Sequence, residues 1–168
     1  RFDERYGRVD PTQPIFPEPE SLLSRSGTIL GLDGSKMSKS RGNTIELGMT
    51  ADQTAKLLKR AVTDSDRNIT YDPENRPEVS NLVNITALCL GREPEDVAAE
   101  IGDGGGGGLK RLATEAVNDF FAAHRARRAE LIADPGALQT ILRHGNERAT
   151  EVAEATLAEV RQAMSMDY

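Results

Sequence analysis

Gly31-Leu32-Asp33-Gly34-Ser35-Lys36-Met37-Ser38-Lys39-Ser40-Arg41-Gly42-Asn43 is the stretch on which the reading of this chain turns. Two lysines, Lys36 and Lys39, stand three residues apart among the hydroxyls of Ser35, Ser38 and Ser40. Glycines at 31, 34 and 42 bracket them, and glycine permits backbone conformations that other residues avoid. Paired ammonium groups, hydroxyls and loop N–H groups can hold an anion with several oxygens. The first reading is a mobile loop that handles phosphate, with Gly34 and Gly42 as hinges. The alternative, for a polar run of this length taken alone, is a solvated turn.

Working outward, Thr28-Ile29-Leu30-Gly31-Leu32 is short, apolar and compatible with a strand that delivers the chain into the loop. Before it, prolines at 11, 14, 17 and 19 make residues 9–20 an extended connector, with Ile15 and Phe16 in a short edge strand. Residues 1–7 read as the end of a helix capped by Gly7. A chain that opens on the end of an element is expected to have lost what precedes it.

After the loop the pattern becomes helical. Thr50 and Gln53 form a capping box for a helix that runs to about Thr63. Its apolar face is Ala51, Ala55, Leu58, Ala61 and Val62. A turn-rich connector spans residues 64–77. Helices follow over about Glu78–Leu90, closed by Gly91, and from Pro94 to Gly102. The expected buried face of the first is Val79, Leu82, Val83, Thr86 and Cys89. Five consecutive glycines, Gly104–Gly108, predict a flexible linker. Long helices are predicted over about Leu109–Ala133 and from Asp134-Pro135 to about Met164. The fold class is thus mainly α, with a helical C-terminal bundle.

Composition agrees with packed helices: 38% of residues are apolar and only 4% aromatic, so the core rests on Leu, Val, Ile and Ala. The net charge of −6 argues against a generic basic coat for nucleic acid. The deficit sits in residues 50–106, with six basic and eleven acidic residues, so basic faces elsewhere stay available. A single cysteine, Cys89, excludes an internal disulfide and a cysteine-rich zinc site, and reads as a small core residue. Asp64, Asp66, Asp72 and Glu74 lack the spacing of a calcium loop and read as caps of the connector. No stretch has the length of a membrane span or the pattern of a signal peptide, so a cytoplasmic protein is expected.

Lys36-Met37-Ser38-Lys39-Ser40 is, letter for letter, the KMSKS motif of class I aminoacyl-tRNA synthetases. The following series, Thr63-Asp64-Ser65-Asp66, Ile69-Thr70-Tyr71-Asp72-Pro73 and Pro77-Glu78-Val79-Ser80-Asn81-Leu82, resembles the tryptophanyl members and not the tyrosyl ones. Arg1-Phe2 to Tyr6-Gly7 and Phe16-Pro17-Glu18-Pro19 are similar to the same family's approach to its last catalytic strand. The resemblance covers nearly the whole chain.

The resemblance implies a tryptophan–tRNA ligase, which joins tryptophan to ATP and passes it to tRNA(Trp) in protein synthesis. Residues 1–49 would be the end of a Rossmann-type catalytic domain, with its last strand and the KMSKS loop. Residues 50–168 would be the anticodon-binding domain. Lys36 and Lys39 would stabilise the departing pyrophosphate. Met37, Ser38 and Ser40 would complete the contacts to the ATP phosphates, and Ile29 would lie on the adenine side. Mg²⁺ would accompany the phosphates. Arg125, Arg127 and Arg128, then Arg143 and Arg148, would meet tRNA; a solvated helix face is the alternative. The family's homodimer, with tryptophan and ATP as partners, is also implied. The family's histidine-rich HIGH-type motif has no counterpart: the histidines, His124 and His144, stand on the C-terminal helices. The chain alone is therefore expected to be inactive, and its loop exposed and loosely held. The rival readings are a truncated paralogue that binds tRNA or regulates, and an inert fragment.

Overall fold

The computed structural model describes residues 2–7, 14–23 and 28–166. Its helices are α1 (Phe2–Tyr6), α2 (Ala51–Lys59), α3 (Pro77–Leu90), α4 (Pro94–Ile101), α5 (Gly105–Phe120), α6 (Ala122–Ala133) and α7 (Pro135–Ala163). Short 3₁₀ turns lie at Lys39–Arg41 and Gly102–Gly104. Two compact units emerge: Ser24–Ala129, and Arg1–Leu23 together with Glu130–Tyr168.

In the Ser24–Ala129 unit, α3 is the central element. Pro77 opens it at a position where a missing N–H costs nothing. Gly91 closes it at φ 65°, a left-handed conformation in which a Cβ is disfavoured. Val79, Leu82, Val83 and Ala87 are at most 1% exposed and pack with Leu58, Ile69, Val97, Leu109, Ala113 and Val117. Burial of this apolar surface drives the packing, at roughly 25 cal/mol per Å² removed from water. The polar side chains of α3 have local partners. Ser80 Oγ accepts the Asp72 N–H at 2.8 Å, and Thr86 Oγ1 donates to the Leu82 carbonyl at 2.7 Å. Cys89 is only half-buried, so it lines the edge of the core and not its interior.

The capping box forms as expected: Thr50 Oγ1 accepts the Gln53 N–H and Gln53 Oε1 accepts the Thr50 N–H. The helix it opens stops at Lys59, earlier than Thr63. Arg60 and Ala61 N–H groups turn back to Leu57 and Leu58, and the Val62 N–H is taken by the Leu32 carbonyl at 2.8 Å. That bond draws the chain out of the helix and leaves Val62 exposed, contrary to the apolar face read from sequence.

The glycine run is helix and not linker. Gly105 sits at φ 64° and donates its N–H to the Arg67 carbonyl at 2.9 Å. From there α5 continues through Gly106, Gly107 and Gly108. Each helical glycine costs about 1 kcal/mol relative to alanine, so packing must compensate. A Cβ on Gly106 would lie 2.7 Å from Thr63 Oγ1, which makes glycine the residue that lets the two segments touch. Leu109 and Ala113, next along α5, are fully buried. The single long helix expected to Ala133 is broken at Phe121, where the chain tightens and restarts as α6.

The strand expected at Thr28–Leu32 is reduced to one bridge, Leu30 with Lys36. A strand needs a continuous ladder, and among the described residues Leu30 with Lys36 is the one bridge; the backbone bonds of Gly31 and Leu32 go to separate turns at Ser35, Asn43 and Val62. The Asn81 side chain covers the other edge of Leu30: Oδ1 accepts the Leu30 N–H at 2.8 Å and Nδ2 donates to its carbonyl at 3.1 Å. Ile15 and Phe16 form a bend and not an edge strand. Their N–H groups go to the Asp3 carboxylate at 2.6 and 3.0 Å.

In the second unit, α1 is closed by Gly7, whose N–H bonds the Asp3 carbonyl at 2.9 Å. The Phe2 ring meets Phe16 edge-on at 5.2 Å. Asp134 caps α7 by accepting the Ala137 N–H at 3.0 Å, with Pro135 at the first position. The apolar stripe of α7 is exposed at Leu138, Ile141, Leu142 and Val152.

Candidate functional site: the two-lysine loop

The loop is a short hairpin held from beneath. Gly31 donates to the Ser35 carbonyl at 2.8 Å, and Gly34 N–H returns to Gly31 at 3.0 Å. Gly34, at φ 77°, supplies the left-handed turn residue. The far end is pinned where Leu32 N–H meets the Asn43 carbonyl at 2.9 Å. A 3₁₀ turn over Lys39–Arg41 closes at Gly42, φ 64°.

Asn43 organises the interior. It is 5% exposed. Its amide nitrogen donates to Asp33 Oδ1 at 2.8 Å, to the Lys36 carbonyl at 3.2 Å and to Ser35 Oγ at 3.3 Å. Its oxygen accepts the Ser38 N–H at 2.8 Å. A buried amide with its hydrogen bonds satisfied fixes one geometry, because any alternative leaves a polar group unpaired. Gly31 permits this placement: a Cβ there would lie 2.2 Å from Asn43 Nδ2. The Asn43 amide, then the Ser35 N–H and hydroxyl, hold the Asp33 carboxyl down at about 2, against an ordinary 3.8. The loop is therefore exposed as expected, but firmly held at its base.

Lys36 and Lys39 flank Ser38 on this base. Both are exposed, and neither ammonium has a hydrogen-bond or ion-pair partner among the described residues. Ser38 and Ser40 bring their hydroxyls to 2.8 Å of each other on the same turn, and Arg41 Nη1 donates to Ser35 Oγ at 3.0 Å. The result is a rigid base with two uncommitted cations and two hydroxyls on its rim. Such a rim can contact the oxygens of a phosphate chain with little reorganisation. Beside it lies an apolar cleft of about 190 Å³. Ile29 and Met37 line its loop side and Ile85, Leu88 and Cys89 its α3 side. Burial pushes the Cys89 thiol pKa up, so the thiol is held neutral.

The acidic connector has no part in the rim. Asp64 is gripped by Arg76, Nε to Oδ2 at 2.7 Å and Nη2 to Oδ1 at 2.8 Å. The guanidinium holds the Asp64 carboxyl below the usual range, and the carboxylate raises Arg76. Asp66 caps Asn68 at 3.0 Å, and Asp72 accepts both the N–H and the side-chain amide of Asn75.

The arginines read as an RNA face differ in their surroundings. Arg125 is turned inward: Nε donates to Met49 O at 3.0 Å, Nη1 to Asn118 O at 3.2 Å and Nη2 to Thr54 Oγ1 at 3.0 Å. It ties α6 to α2 and α5 in place of facing solvent. Arg128 is exposed with its guanidinium over Gly48, where a Cβ would lie 3.6 Å from Nη2. Arg127 is exposed on α6. Arg143 and Arg148 are exposed on α7, Arg143 beside Glu147. Sequence reasoning assigned no role to Asn43 or Asn81, although both lie in quoted motifs. Nothing in spacing distinguishes a buried, bridging asparagine from a turn residue.

The sequence profile of the tRNA synthetases class I (W and Y) matches residues 1–122. A tryptophan–tRNA ligase of Nostoc sp. is 36% identical over 98% of this chain and 50% of its own length. That of Thermosynechococcus vestitus is 38% identical over 97% and 51%. In three dimensions the chain is similar to tryptophanyl-tRNA synthetase from Campylobacter jejuni complexed with ADP and tryptophan. The TM-score is 0.64 with 27% identity, over 97% of this chain and 50% of that one. The chain thus spans about half the length of the relatives it matches. With the two-lysine loop in place on a mainly helical scaffold, the chain belongs to the class I tRNA synthetases of the W and Y family.

Proposed function

We propose that this chain is the C-terminal portion of a tryptophan–tRNA ligase, and that its loop handles the phosphates of ATP while tryptophan is activated. The observation that carries the reading is the rim of the loop: Lys36 and Lys39, unpartnered among the described residues, on a base fixed by Asn43. The tryptophan ligases that match along 97–98% of the chain support the choice of amino acid.

In the proposed reaction the tryptophan carboxylate attacks the α-phosphorus of ATP and pyrophosphate leaves. Negative charge develops on the leaving group, and cations already in position lower that barrier. Lys36 and Lys39 are assigned that role. Ser38 and Ser40 donate hydrogen bonds to phosphate oxygens once their mutual contact opens. Met37 and Ile29, which wall the apolar cleft beside the rim, are assigned to the adenine side of the nucleotide. Mg²⁺ is proposed to arrive with the nucleotide: the Asp33 carboxylate is engaged by Asn43 and Ser35.

Residues 1–49 are proposed as the end of the catalytic domain and residues 50–168 as the anticodon-binding domain. Arg127, Arg128, Arg143 and Arg148 are the tRNA contacts in this reading. Arg125 contributes by fixing the start of α6. A homodimer acting in the cytoplasm on tRNA(Trp) completes the proposal. The 168-residue chain by itself, without a HIGH-type motif, is proposed to be inactive.

The test is pre-steady-state kinetics on the protein that contains this segment. Lys39→Ala should slow adenylate formation by about 10²–10³-fold, the range of a lost transition-state donor, with tryptophan affinity nearly unchanged. Loss of tryptophan affinity with an unchanged rate would refute the assignment. Tryptophan-dependent pyrophosphate exchange by the isolated chain would refute its proposed inactivity.

A further inference from the structure

A groove of about 370 Å³ lies between α2 and α5, on Ala55 and Lys59 of the first and Gly107, Lys110, Arg111 and Thr114 of the second, with Glu115 at its end. We propose that this groove holds the phosphate backbone of a bound RNA, as a contact separate from the arginines of α6 and α7. It rests on the tRNA reading above for the identity of the natural RNA, though not for its chemistry.

Charge and packing carry the inference. Lys59, Lys110 and Arg111 have no acceptor for their side chains among the described residues, whereas Arg76 and Arg125 are fully engaged internally. Three cations against one carboxylate in a chain of net charge −6 make a local positive site on an otherwise acidic protein. Lys56, exposed one turn before Lys59, extends the row along α2.

The glycine run shapes the groove. Gly106 lets α5 approach Thr63, and Gly107, whose Cβ position is open, contributes floor without a side chain. The positive end of the α5 dipole adds to the field at that floor. The lining is too poor in large apolar side chains for a protein partner, which would need an apolar centre. Cations on aliphatic stems around a backbone-lined floor suit a chain of phosphates read by charge and not by base.

Equilibrium binding of the 168-residue chain to tRNA(Trp) and to a non-cognate tRNA, across a salt series, tests this. Replacing Lys59, Lys110 and Arg111 with Gln should weaken both RNAs by about tenfold or more. It should also flatten the salt slope by about 2–3, near one for each lost phosphate contact. Glu115→Gln should tighten both. Circular dichroism checks that the variants remain folded; the Glu115→Gln gain is a readout that misfolding would not produce. Equal weakening of both RNAs with no cognate preference in the unaltered chain would sink the tryptophan reading and leave the groove standing. Unchanged slopes and affinities, no RNA binding by the unaltered chain, or groove-dependent binding of polyglutamate without RNA binding, would overturn the groove.

Discussion

Asn43 gives its amide N–H to Asp33 at 2.8 Å while its oxygen takes the Ser38 N–H at the same distance. One side chain thus joins the entry of the two-lysine loop to its centre. The residues proposed to meet phosphate, Lys36 and Lys39, lie on either side of Ser38. Their positions therefore depend on a residue that touches no ligand.

Asn43→Ala should destabilise the chain by about 1–3 kcal/mol, the cost of leaving buried hydrogen-bonding groups without a partner. It should also release protection from exchange at the Ser38 amide. Asn43→Asp keeps an acceptor for Ser38 but sets a second carboxylate against Asp33, so it should be at least as damaging at neutral pH. Urea denaturation and amide exchange measure both. An Asn43→Ala chain with undiminished Ser38 protection would show that the backbone alone holds the loop.

Acid should loosen the same loop. The folded-state pKa of Asp33 lies below its ordinary value, so its contribution is present above pH 3.8 and is lost as pH falls through about 2. The carboxyl resonance of Asp33 should titrate near 2, with Ser35 and Ser38 amides shifting in step. Asp33→Asn should remove that transition. Titration of Asp33 at its ordinary value would mean that the Asn43 contact does not persist in solution.

Adjacent glycines should respond in opposite directions. Gly106→Ala sets a methyl 2.7 Å from Thr63 Oγ1 and should cost about 1–3 kcal/mol, the range for overpacking. Gly107→Ala meets nothing within 4 Å and should stabilise by about 0.4–1 kcal/mol through the entropy of the unfolded chain. Thr63→Ala combined with Gly106→Ala should recover most of the loss. Thermal melts of the three variants decide it, and equal effects at 106 and 107 would contradict the packing.

These glycines mark where sequence stops informing the fold. Local signals were sufficient for α3, α4 and α7, because Pro77, Pro94 and Pro135 open them and Gly91 ends the first. The capping box at Thr50 and Gln53 was equally legible, since both partners are neighbours in sequence. The glycine run was not, because its helix is paid for by Leu109, Ala113 and the Thr63 contact, all outside the run. The break at Phe121 carries no proline or glycine to announce it. For the candidate site the motif letters located the rim, while the base was hidden. Asn81 on α3 reaches Leu30 across 51 residues of sequence, a separation that no local pattern encodes.

Arg125 makes the sharpest case of a residue whose type misleads. A cluster of arginines on a helix suggests RNA, yet this one binds Met49 O, Asn118 O and Thr54 Oγ1. Arg125→Ala should destabilise by about 1.5–3 kcal/mol, the range for hydrogen bonds from a charged donor. Arg125→Lys should recover little, because an ammonium lacks the planar fork that reaches three acceptors. At a temperature where both variants stay folded, the salt dependence of tRNA binding should match the parent, since no phosphate contact is lost. Arg128→Gln should do the reverse, lowering the salt slope with little change in melting temperature. If Arg125→Ala keeps full stability and instead flattens the salt slope, the guanidinium faces RNA and not Met49.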